Sequence, residues 1–118
     1  MVNSALSVAG STTITLDLQS LVDVYGATVV GVELVALAIK NRTGNGGDIE
    51  IKPNASNGFI GILKDATDIV KIPPGGFVLW TNPEDGNHTI GASNKDLDIT
   101  NTDGSAATID TWLVLKTS

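Results

Sequence analysis

Apolar and polar residues alternate in short runs along the whole chain, at the period of two that sends successive side chains to opposite faces of a strand. In Ser11–Leu18, Ile14, Leu16 and Leu18 fall on one side and Thr13, Thr15 and Asp17 on the other. Gln19–Gly26 reads as a loop with some helical character, because Leu21, Val22 and Val24 make one helical turn too short to stand alone. Thr28–Asn41 is the longest strand expected. From Val35 to Ile39 both of its faces are apolar, since Ala36 and Ala38 oppose Val35, Leu37 and Ile39. Such a run is a covered central strand or one side of a subunit contact.

Thr43–Asp48 is a turn by composition, and Ile49–Lys52 alternates until Pro53 ends it, so these two strands read as a hairpin with a loose loop. Phe59–Leu63 is expected as a short strand, Asp65–Asp68 as a polar turn, and Ile69–Ile72 as a strand. Pro73-Pro74-Gly75-Gly76 forms a corner, with prolines fixing φ and glycines free to take φ > 0. Phe77–Trp80 follows as a strand, Thr81–Asn87 as a loop and Thr89–Lys95 as a connector. The tail, Leu97 to Leu115, reads as two alternating strands around the Asp103-Gly104 turn. Seven or eight short strands separated by Gly, Asn, Asp and Pro turns predict an all-β fold, a small antiparallel β-sandwich of jelly-roll-like form. A last strand that ends almost with the chain predicts one closed domain over residues 1–118, with residues 1–10 as a flexible N-terminal arm.

Composition narrows this reading. At 118 residues the chain is one domain that can bury a core of its own. It has no cysteine, which removes disulfides, thiolate metal ligands and a cysteine nucleophile. A formal charge of −6 with scattered basic residues argues against nucleic acid as a partner. Nothing in the sequence reads as a signal peptide, a membrane span or a basic membrane-binding patch, so cytoplasmic synthesis and no membrane partner are expected.

Candidate chemistry is sparse. His88, the single histidine, sits in Gly86-Asn87-His88-Thr89 and reads as a solvated turn residue, with no Gly-x-Ser-x-Gly elbow to make it part of a triad. Asp96, Asp98, Asn101, Asp103 and Gly104 crowd one stretch and invite a calcium reading. Aligning Gly104 with the glycine of an EF-hand loop puts Ile99 and Ile109 where ligands belong, so turn chemistry is the default. Trp80, Trp112 and Tyr25 would suit a sugar platform, although Trp80 and Trp112 lie in apolar strands where core or subunit contact is the simpler role. The sequons at Asn41, Asn54 and Asn87 matter only in a secreted eukaryotic chain. No catalytic, cofactor-binding or metal-binding residue is assigned, no cofactor is expected, and the chain is not expected to be an enzyme.

Ile14–Leu18, then Val32–Asn41 with its Gly-Asn loop, then Ile72–Trp80 through the Pro-Pro-Gly-Gly corner, then Leu97–Ile109 together resemble the small β-sandwich capsid decoration (cement) proteins of tailed bacteriophages. The likeness spans nearly the whole chain and rests on the style of strands and turns. It implies a virion structural protein, made in the host bacterial cytoplasm, that sits on the head surface and binds the phage major capsid protein as a homo-oligomer, with a trimer favoured. Many weak contacts repeated by symmetry would then hold through avidity and stabilise the shell by mass action. The alternatives are a tail-fibre or baseplate receptor-binding module and a carbohydrate-binding module.

Overall fold

The computed structural model describes residues 2–22, 25–63, 65–82 and 88–118, with side chains described from residue 6 onward. Ten strands and no helix occur among them: β1 (Val2–Val8), β2 (Thr13–Asp17), β3 (Leu21–Val22), β4 (Thr28–Val29), β5 (Glu33–Asn41), β6 (Ile49–Pro53), β7 (Val70–Ile72), β8 (Phe77–Thr81), β9 (Asp96–Asn101) and β10 (Ala107–Lys116). Eight form two four-stranded antiparallel sheets, β1-β10-β5-β8 and β2-β9-β6-β7, while β3 and β4 pair with each other. Numbered one to eight along the chain, the sheet strands run 1-8-3-6 and 2-7-4-5. That order is a jelly roll, two four-stranded sheets wound from paired Greek keys.

The alternation read from sequence sets the core. One row of β2-β9-β6-β7 is Ile14–Ile99–Ile51–Val70, and a row of β10-β5-β8 is Leu113–Leu37–Trp80. With Leu16, Leu97, Ile39, Ile49, Ile72 and Ile109, these rows belong to one apolar cluster between the sheets. β5 carries an extra residue opposite the Val114–Leu115 step, so Leu34 and Leu37 both turn inward despite their odd spacing.

Five expectations change. Residues 2–10 are not a free arm: Val2–Val8 pairs with β10, Val8 is buried, and Asn101 Nδ2 donates to the Val8 carbonyl at 3.1 Å. Leu21–Val22 is a short strand rather than a helical turn; Asp23 and Val24 lie outside the described residues. Thr28–Asn41 breaks into β4 and β5 at Gly31, whose N–H donates to the Leu18 carbonyl at 2.9 Å. β5 and β6 do not form a hairpin, because the turn at 43–48 carries the chain from one sheet to the other. Phe59–Leu63 is no strand: Phe59 is fully buried from a loop, its N–H bonded to the Asp96 carbonyl at 2.9 Å. The Pro73–Gly76 corner forms as expected, with Gly75 at φ 84° and the Gly76 N–H donating to the Pro73 carbonyl at 2.9 Å.

Candidate interaction surface

The outward faces of the two sheets differ in kind. On β2-β9-β6-β7 the outward rows are Thr13–Thr100–Glu50–Lys71, Thr15–Asp98–Lys52 and Asp17–Asp96. Several of these groups are bonded to one another or to neighbours beside them. Thr13 and Thr100 hydroxyls share a hydrogen bond of 2.7 Å, Thr15 Oγ1 donates to Asp98 Oδ1 at 2.8 Å, and Asn54 Nδ2 donates to the same oxygen at 3.0 Å. Lys95 Nζ bridges Asp17 at 2.9 Å and Asp96 at 3.0 Å. Burial alone would raise the Asp17 carboxyl, but the Lys95 hydrogen bond, the Gln19 N–H and the Lys95 charge together outweigh it and hold the group below its ordinary value. Hydrogen bonds to Asp17 and Asp96 hold Lys95 above its own.

Over β10, β5 and β8 the outward face of the other sheet is largely apolar. Its rows are Asp110–Lys40–Phe77, Trp112–Ala38–Leu79 and Val114–Ala36–Thr81. Phe77 and Leu79 are each 62% exposed, Val114 53% and Trp112 38%. A soluble monomer seldom leaves so many large side chains together in water without a use for them. The relief is uneven: β10 and β8 raise ridges of large residues, and β5 between them offers Ala36 and Ala38, with Lys40 at one end. An open hollow of about 330 Å³ lies there, lined by Ala38, Lys40, Gly75, Phe77 and Trp112. At one end Arg42 grips Asp110 through a two-pronged contact, Nε to Oδ2 at 2.9 Å and Nη2 to Oδ1 at 2.7 Å. The hydrogen bond to Asp110 holds the Arg42 guanidinium above its ordinary value.

The residues singled out for chemistry are used otherwise. Asp96 and Asp98 are buried in the hydrogen bonds above, and Asn101 is a structural clamp whose Nδ2 also donates to the Ser105 carbonyl at 2.8 Å. Among the described residues no group of His, Asp and Glu is placed to hold a metal ion. His88 is half-buried rather than solvated: its ring stands edge-on to Trp80 with centroids 4.1 Å apart, and its Nδ1 is buried with no hydrogen-bond partner. The aromatic platform does not assemble, because Trp80 faces the core, Trp112 faces outward from the same sheet, and Tyr25 is exposed between β3 and β4. Asn41 is fully buried, which closes its sequon to a glycan; Asn87 lies outside the described residues. A second hollow, about 350 Å³ beside β2 and β3, holds one titratable group, Asp17, already engaged by Lys95.

Sequence reasoning flagged Val35–Ile39 and Trp112 but missed Phe77, Leu79 and Val114 as their neighbours. Each sat in a run apolar at consecutive positions, a pattern that marks both faces of a strand as apolar without saying which strands adjoin. No family model matches this chain, and no curated protein sequence matches it. No helix among the described residues is long and apolar enough to cross a membrane.

Proposed function

We propose that this chain is a non-enzymatic virion protein that decorates and stabilises the head of a tailed bacteriophage, binding the outer shell of major capsid protein as a homo-oligomer. The observation that carries this reading is the contrast between the two sheets. One presents charged residues and threonines, several of them bonded together; the other presents Trp112, Leu79, Phe77 and Val114 to solvent. A jelly roll with one unpartnered apolar face is suited to protein contact, and the likeness in strand and turn style to decoration proteins gives that contact a setting. The acidic charge is compatible with the outside of a shell, where no nucleic acid need be bound.

The test is co-sedimentation with assembled heads built from the major capsid protein encoded in the same genome. Saturable binding at a fixed stoichiometry is expected, together with a higher melting temperature of the decorated shell. No binding at tens of micromolar protein would overturn the reading. A second reading, a tail-fibre or carbohydrate-binding module, draws on the hollow between Trp112 and Phe77. Retention on a glycan array that is lost in Trp112→Ala would favour it instead.

A further inference from the structure

We infer that the outward face of β1-β10-β5-β8 pairs with the same face of a second copy of this chain, the ridge of each seated in the trough of the other. This deepens the oligomer part of the proposed function and rests on that reading only for its biological setting.

Shape is the first argument. Adjacent strands lie about 4.8 Å apart, so the β10 and β8 ridges stand about 10 Å apart across β5. A gap of that width floored by Ala36 and Ala38 accepts one row of large side chains. A two-fold axis parallel to the strands, running between β10 and β5, lays β10 of each copy over β5 of the other. Trp112 and Val114 of each then enter the other's alanine trough, and β1 of each covers β8 of the other. All four strands are covered, by a patch that complements itself as a two-fold contact requires.

Area and charge select a second copy as the occupant. The four large apolar side chains expose on the order of 400 Å² together, the scale of the largest patch on a typical monomer. Covering a face four strands wide hides roughly 600–800 Å² per copy, which is the size of a specific protein interface. Two chains of net charge −6 repel, and they meet most easily where acid is least exposed. Of the acids on this face, Asp110 is closed against Arg42, and Lys40 adds positive charge beside it. The opposite sheet carries four acids at outward positions, Asp17, Asp96, Asp98 and Glu50, against one in the three rows of this face, although Asp96 and Asp98 are themselves buried in hydrogen bonds. A sugar site needs several polar groups around its stacking ring, and this hollow offers Lys40 among Ala, Gly and aromatic lining. A three-fold ring needs two different complementary patches on each chain, whereas this face supplies one that matches itself.

The experiment is sedimentation velocity of the whole chain from about 1 to 200 µM, with tryptophan emission recorded over the same series. A dimer that dissociates on dilution is expected, with a red shift as Trp112 returns to water. Trp112→Phe should remove most of that shift, since Trp80 faces the core. Leu79→Lys and Ala38→Arg, both at outward positions, should each weaken pairing at least tenfold while the melting temperature of the dissociated chain stays near that of the parent. Lys52→Glu on the other sheet should leave pairing intact. A monomer at 200 µM overturns the inference, as does a trimer, a dimer insensitive to Leu79→Lys and Ala38→Arg, or an emission shift produced by sugar instead of by concentration. Capsid co-sedimentation decides the other question separately. A dimer that ignores capsids keeps this inference and loses the decoration reading, and a monomer that binds capsids does the reverse.

Discussion

Three asparagines hold this molecule together, two of them, Asn41 and Asn101, at buried positions where an apolar residue would be expected. Asn41 Nδ2 donates to the Gly47 carbonyl at 3.0 Å and the Ile72 carbonyl at 2.9 Å, tying the end of β5 to the opposite sheet. Asn45 donates to Asn41 Oδ1 at 2.6 Å and to the Thr108 carbonyl at 2.7 Å, and accepts from the Thr108 N–H at 3.0 Å. Asn101 ties the end of β9 to the carbonyls of Val8 and Ser105. Asn41→Ala would strand the Ile72 carbonyl and part of this network in the core, at a cost of about 2–4 kcal/mol. Urea unfolding of the variant should show that loss, and an unchanged midpoint would mean water replaces the amide. Sequence pattern showed where each asparagine sits but not which carbonyls it reaches, since those belong to strands far along the chain. The acid cluster reads as turn chemistry in the sequence, yet Asp96, Asp98 and Asn101 lie in β9, where Thr15, Asn54 and Lys95 engage the two carboxylates. The Asp17–Lys95 pair gives a pH signature. A carboxyl held low in the folded state adds stability above its unfolded value of about 4, and that stability is lost as pH falls through the lower folded value. Asp17→Asn should therefore lose less stability than the parent between about pH 4 and pH 2, read from urea midpoints across that window. Equal acid sensitivity would show that the pair contributes nothing. At the alkaline end the sign reverses: the Lys95 contribution is complete below its ordinary value and fades as pH rises through its raised one.

At the scale of elements, the period of two located β2, β6, β7, β8, β9 and β10 and told inward from outward positions correctly in β2 and β6. It did not tell which strands adjoin. Successive sheet strands switch sheets at every step except β6 to β7, so a short turn between two strands predicted hairpins that the fold does not make. Phe59–Leu63 was misread because a short apolar run looks like a strand, whereas here Phe59 alone plugs the core from a loop and Ile60 is exposed. The break in the long run before β5 has its cause in Gly31. A Cβ there would stand 2.6 Å from the Leu18 carbonyl oxygen and 2.7 Å from a Leu115 methyl, and the first of these belongs to backbone that cannot swing aside. Gly31→Ala is expected to cost about 1–3 kcal/mol and several degrees of melting temperature in a thermal scan. A variant as stable as the parent would show that this connection yields easily.

At the scale of the whole molecule, β1 closes one side of β10, and Val8 belongs to the core. Removing residues 1–9 uncovers an edge of the longest strand and empties a buried position. The shortened chain should lose its cooperative melt or aggregate, while limited proteolysis of the intact chain should spare its first strand. A shortened chain that melts like the parent would return those residues to the role of an arm. β10, the last strand in the order, lies between the first strand and β5 at the centre of its sheet. On the ribosome this sheet therefore has no middle until residues 107–116 emerge, and β1 waits for its partner until then. A chain interrupted just before residue 107 holds the four strands of the other sheet but lacks the middle of the sheet that covers their apolar face. Its uncovered apolar face leaves such a chain open to proteases.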